Sequence, residues 1–217
     1  MMLEKVPRVV LGLLSVLAPV AGMAEPQISI EESQVVAEGI TPGGLAVWFG
    51  FAREQHEWVV SLVRREGMTQ ADASGVATFS VAEGVPMVSL WAVVDLATGQ
   101  RSVAAPEDMP LQQVDFPADG LGEGGPHGVL NLLQLRRDFL EVLVVRPGVG
   151  AWGISSGDGG ESDADAQPDG RVQVLLGLTH PIGDSAGAPS SFQRGDVIVV
   201  FDPNTLEYYS LQVGRAL

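Results

Sequence analysis

The segment Gly157–Gly170 (GDGGESDADAQPDG) concentrates groups able to hold a cation. Five carboxylates, Asp158, Glu161, Asp163, Asp165 and Asp169, fall within fourteen positions among glycines. Calcium takes about six to eight hard oxygens from flexible loops, and loops of Asp and Gly supply them. The helix–loop–helix calcium pattern fails in both registers. Counted from Asp163, Pro168 takes the place of the Gly that the sharp turn needs. Counted from Asp158, Asp163 stands in that place, and Asp169 closes the loop where Glu belongs. The segment therefore reads either as a looser calcium site on the edge of a β-sandwich, with those five acids as ligands, or as a solvated acidic loop.

The histidines are His56, His127 and His180. No two have the spacing of zinc ligands on one helix. His127 lies in a Gly-rich loop and His180 precedes Pro181, so both read as turn or surface residues. A Ser–His–Asp triad is assembled in space rather than in sequence. Its best local marker, the Gly-x-Ser-x-Gly elbow, is missing: Gly153-Ile154-Ser155-Ser156-Gly157 places the second Gly one position late. Glu31 and Glu32 face opposite sides of a strand and cannot act as the paired carboxylates of a glycosidase. No catalytic residue and no cofactor is expected.

Aromatic stacking offers a third chemistry. Of Trp48, Trp58, Trp91 and Trp152, the first and third sit inside apolar runs and are expected in the core. Trp58 and Trp152, flanked by polar residues or Gly, are the better candidates for stacking on sugar rings, with core packing the favoured reading for all four. The pairs Arg64-Arg65 and Arg136-Arg137 read as members of surface ion pairs.

The elements that would position these residues are short. Twelve Lys+Arg stand against 27 Asp+Glu in 217 residues, a formal charge of −15 that argues against nucleic acid or an anionic membrane as partner. There is no cysteine, which excludes disulfides, thiolate metal sites and cysteine nucleophiles. The hydrophobic share of 46% is enough for a packed core.

Residues 1–24 have the form of an export signal. Lys5 and Arg8 precede an apolar run, Val9–Val20, and small residues at Gly22 and Ala24 fit cleavage before Glu25. The run is short for a membrane span and Pro19 interrupts its end. No other run reaches spanning length, so no membrane span is expected in the mature chain. Lys5 is the only lysine, so the mature chain would carry only arginines as strong cations and no Schiff-base or Ser–Lys chemistry.

The rest of the chain alternates short apolar runs with turn residues. Expected strands are Gln27–Ile30, Gln34–Glu38, Leu45–Ala52, Trp58–Arg64, Ala77–Ala82 and Ser89–Leu96 in the first half. The second half offers Val129–Leu135, Leu140–Arg146, Ala151–Ser155, Arg171–Leu178, Asp196–Asp202 and Glu207–Val213. Phe51–Arg65 also carries a near-helical period, but its Val59-Val60 pair and missing caps favour strand. Turns are expected at Thr41–Gly44, Asp95–Gly99 and Asp202–Thr205.

The two halves echo each other. Gly75 begins a strand, connector and apolar strand that end at Asp95, and Gly170 begins the same succession ending at Asp202. Either a duplication or the shared grammar of sandwiches explains this. The expected class is all-β: a signal peptide at 1–24, a sandwich domain at 25–105, a linker and Gly-rich loop at 106–128, and a second sandwich domain at 129–217. The pattern resembles tandem immunoglobulin-like sandwiches in architecture only, because the Cys…Trp…Cys hallmark is absent.

The expected role is a secreted or periplasmic, non-enzymatic protein with binding, adhesion or structural work at a bacterial cell exterior. Its partner would be a protein or a glycan. The alternatives are a carbohydrate-binding module using Trp58 and Trp152, and a calcium-stabilised secreted domain or hydrolase accessory protein. These steps go from scaffold to role by analogy.

Overall fold

A computed structural model describes residues 25–31, 34–56, 59–80, 89–105, 112–113, 129–133, 141–155, 171–175, 179–187, 189–202 and 207–213. Its described part is all-β, with no helix. No helix among the described residues is long and apolar enough to cross a membrane. The expected signal, linker, Gly-rich loop and acidic loop lie outside the described residues, apart from Gln112-Gln113 within the linker.

Four sheets carry the chain. β1 (Gln27–Ile30), β2 (Gln34–Glu38) and β5 (Ala77–Ser80) form a small antiparallel sheet in the order β1-β2-β5. β3 (Leu45–His56), β4 (Val59–Gln70), β6 (Ser89–Asp95) and β7 (Arg101–Ala104) form a second, in the order β4-β3-β6-β7. The largest contains β8 (Gln112–Gln113), β10 (Glu141–Arg146), β11 (Gly150–Ser155), β13 (His180–Pro181), β14 (Val197–Asp202) and β15 (Glu207–Gln212). Its order is β13-β11-β10-β14-β15-β8, antiparallel except for the short β15/β8 pair. β9 (Val129–Leu133) and β12 (Arg171–Leu175) make a separate antiparallel ribbon.

The second sheet is the middle layer. Successive residues of a strand point to opposite faces. Val47, Phe49 and Phe51 of β3, with Leu90, Ala92 and Val94 of β6, pack against Leu143, Val145, Val197, Val199 and Phe201 of the largest sheet. Ala46 and Trp48, with Trp91 and Val93, turn the other way onto Val35, Ala37 and Ala77 of the small sheet. Both faces are buried, so β3 and β6 read as nearly continuous apolar runs instead of alternating ones. Residues on both sides of the expected linker share the first of these clusters.

Aromatic rings mark both interfaces. Phe49 stacks on Phe201 at 5.6 Å, and Trp48 stacks on Phe79 at 5.9 Å. Full burial of each such side chain stabilises the fold by about 1.5–3 kcal/mol relative to exposure. Gly50 is required by one of the buried rings: a Cβ there would stand 2.5 Å from Trp91 Cε3 and 2.6 Å from the Leu90 carbonyl.

Two of the expected turns form as their residues dictate. The Gly44 N–H donates to the Thr41 carbonyl at 2.7 Å, with Gly43 at φ +69°. The Gly99 N–H donates to the Asp95 carbonyl at 2.8 Å, with Gly99 at φ +74°. The third turn, Asp202–Thr205, falls largely outside the described residues. The ambiguous stretch from Phe51 is extended on both sides of the hairpin, in register from Leu45↔Gln70 to His56↔Val59. The strand β7 follows the Asp95–Gly99 turn, as a hairpin connection there implies, whereas β8 and β13 are not anticipated by the sequence pattern. Both of the latter are two-residue pairings, too short to show a period.

Candidate functional site

A cleft of about 420 Å³ lies between β7 and β15. The Asp95–Gly99 turn returns the chain into β7 and brings Thr98 and Gln100 to the lining, with Arg101 and Val103 on the face of β7 towards β15 and Ser102 on its other face. The opposite wall comes from β15, where Tyr208, Ser210 and Gln212 share a face because they are two residues apart. Glu25 completes the lining just before β1. The volume is within the range of about 300–1,000 Å³ typical of small-molecule sites.

The cleft is polar and holds both signs of charge. Arg101 Nε donates to Ser210 Oγ across it. Burial lowers the pKa of the Arg101 guanidinium, while the charges of Glu25 and Tyr208 pull it back up. An arginine so far above neutral stays cationic. Burial raises the Tyr208 phenol above its ordinary value, Glu25 adds to the rise, and Arg101 opposes it. Around this one cation and one carboxylate stand four hydroxyls and two amides, a set suited to hydrogen bonding.

A second polar cluster ties the middle sheet to the largest one at another edge. His180 Nε2 lies 2.6 Å from Glu66 Oε1 and 3.0 Å from Arg64 Nη2. Arg64 Nη1 donates to Glu141 Oε2 at 3.2 Å. The two contacts at Nε2 make opposite demands: Glu66 accepts from a protonated nitrogen, whereas Arg64 donates to an unprotonated one. Gly153 of β11 makes room for the group, since a Cβ there would sit 2.8 Å from Glu66 Oε2 and from His180 Nε2. Among the described residues no hydroxyl is hydrogen-bonded to His180. The cluster stitches strands β4, β10 and β13 through the Arg64–Glu141 ion pair and the polar contacts of His180.

The residues singled out in the sequence meet different fates. Asp158, Glu161, Asp163, Asp165 and Asp169 lie outside the described residues, as do Trp58 and His127. Among the described residues there is no cluster of three or more ligating side chains fit for a metal ion. Trp48 and Trp91 are fully buried, as expected. Trp152 takes the favoured core position, which corrects its candidacy as an exposed ring: it is 2% exposed, its indole N–H donates to the Ala186 carbonyl at 2.8 Å, and the Arg146 guanidinium lies 5.9 Å from its ring centroid. The neighbouring Gly153 signals space for Glu66 and His180, not an exposed ring. His180 is half-buried and bonded, more than a plain turn residue. Arg64 forms an ion pair as expected, though one that joins two sheets.

Sequence reasoning missed the cleft. Its usable signal was the alternation Tyr208, Ser210, Gln212 on one strand opposite Arg101, just after a Gly-closed turn. Comparison with protein-family models, with curated proteins and with solved structures gave no match.

Proposed function

We propose that the chain is an exported, non-catalytic β-sandwich protein that binds a component of a bacterial cell exterior through the cleft between β7 and β15. One observation carries this reading. The cleft gathers hydroxyls, amides and a half-buried guanidinium, while among the described residues its lining includes neither histidine nor aspartate and has one carboxylate, Glu25. Such a lining favours holding a ligand over the proton transfers of hydrolysis, which need an acid and a base within hydrogen-bond reach of one bond. The buried position of Trp152 speaks against the alternative of a flat tryptophan platform using that ring.

The test has two arms. Expression of the full chain in a bacterial host, with N-terminal sequencing of the exported product, should give a first residue of Glu25. The purified product should co-sediment with cell envelopes, and Gln212→Trp, which fills the cleft, should release it to the supernatant. Envelope retention that is absent, or equally strong in the filled variant, would overturn the reading.

A further inference from the structure

The chemistry of the cleft narrows the class of its occupant. Among the described residues, Val103 is the one wholly aliphatic side chain in the lining. An apolar ligand would strip water from the surrounding hydroxyls and amides without replacing it, and each unpaired polar group would oppose binding. The occupant must therefore be dense in hydrogen-bonding groups, as saccharides are.

Arg101 adds a second requirement. Its Nε is held by Ser210 Oγ, and the guanidinium carries two further amino groups. Those terminal groups form a fork for a planar acceptor with two oxygens. A carboxylate matches that fork, and a partly desolvated guanidinium binds it more strongly than a fully hydrated one. Glu25 acts on the same guanidinium through its charge. It is exposed, so it competes with an incoming carboxylate without blocking it. The wider negative charge of the chain is screened beyond about 8 Å at physiological salt, leaving Arg101 and Glu25 to decide the contact.

We propose that this cleft binds an acidic saccharide, with a uronate-type carboxylate on the Arg101 guanidinium and ring hydroxyls on Ser210 and Gln212, which share the face of β15 that meets Arg101. The proposal rests on reading the chain as a binding protein. It makes Glu25 a specificity residue that weakens binding of the acidic ligand.

Titration calorimetry with the exported chain tests this, using tri-galacturonate and neutral galactotriose as probes. The acidic trimer should bind at least about tenfold more tightly than the neutral one. Glu25→Gln should tighten the acidic trimer about threefold. Arg101→Lys keeps the charge but loses the fork, and should weaken the acidic trimer about tenfold; Arg101→Gln should weaken it further. Melting curves establish that each variant is folded, and the exposed position of Glu25 keeps one variant informative even if Arg101 proves structural. Equal binding of both trimers, no binding of the acidic trimer at millimolar concentration, or an unchanged affinity in Glu25→Gln would each overturn the proposal. Envelope retention that persists alongside any of these results would leave the binding role standing without this ligand class.

Discussion

Asp95 and Thr41, 54 positions apart, are joined twice: the Thr41 N–H donates to Asp95 Oδ2 at 3.1 Å and the Thr41 hydroxyl donates to the same oxygen at 2.6 Å. Asp95 also accepts from the Ala97 N–H at 3.0 Å and the Thr98 hydroxyl at 2.9 Å. One carboxylate, 1% exposed, thus fastens the turn before β3 to the turn that leads into β7. It sets where Thr98 enters the cleft.

Asp95→Ala should therefore destabilise the fold by about 2–4 kcal/mol, because several donors lose their acceptor in a dry site. Thr41→Ala removes a single hydroxyl donor and should cost about 1 kcal/mol. Urea denaturation followed by tryptophan fluorescence measures both. A loss below about 0.5 kcal/mol for Asp95→Ala would mean that water replaces the donors' partner and that the carboxylate does not organise the turns.

The pair Arg146 and Asp196 makes a stronger claim. Nε and Nη2 of the arginine reach the two carboxylate oxygens at 2.9 and 2.8 Å, and the Gln193 N–H donates to Asp196 at 2.7 Å. The hydrogen bond to Asp196 is the main reason the Arg146 pKa is raised, so the guanidinium stays charged. Asp196 is fully buried. Arg146→Met would leave that carboxylate uncompensated and should cost about 3–5 kcal/mol. It also removes the cation from the face of Trp152, so the emission of that indole should change. Asp196→Asn should be milder, since the amide still accepts from Arg146. If the two variants were equally stable, the uncompensated charge would not be the main source of the loss.

Tyr208 gives a pH prediction for the cleft. Its phenol is raised chiefly by burial, then by Glu25, with Arg101 opposing. A raised acid is favoured in its neutral form by folding. That stabilisation is complete below the ordinary phenol value of about 10 and disappears as pH rises through the higher folded value. In a Tyr209→Phe background, ultraviolet absorbance should report Tyr208 ionising above about 10. Glu25→Gln should bring the transition down, and Arg101→Gln should move it up. Movement of the transition in the opposite direction in either variant would remove both residues from the phenol's surroundings.

How much of this could be read from residue order follows from how local each feature is. The pairs β1/β2 and β10/β11 form from runs whose alternation or apolar content is complete within five or six residues, and their expected bounds match or nearly match the observed ones. The Thr41–Gly44 and Asp95–Gly99 turns are equally local, because Pro and Gly fix their backbone angles. The cleft is not local. Arg101 and Ser210 meet over 109 positions, and His180 meets Glu66 over 114. Neither pair has a spacing or a motif that marks it before the sheets stack. Trp152 misled for a related reason: its glycine neighbour is explained only by two side chains from distant strands.

Gly50 is where close packing becomes testable at one atom. Its hypothetical Cβ meets Trp91 Cε3 at 2.5 Å and the Leu90 carbonyl at 2.6 Å, and the second is backbone that cannot rotate away. Gly50→Ala should cost about 1–3 kcal/mol or more from overpacking, even though alanine is the better strand residue on entropic grounds. Gly148 supplies the contrast. Nothing lies within 4 Å of its Cβ position, but φ is +74°, so Gly148→Ala should cost about 1–2 kcal/mol from backbone strain alone. The two losses separate by a second change. Trp91→Phe shortens the ring over Gly50 and should recover part of the Gly50→Ala loss, while leaving Gly148→Ala unaffected. Strict additivity of Trp91→Phe with Gly50→Ala in thermal and urea unfolding would show that the ring does not press on this glycine.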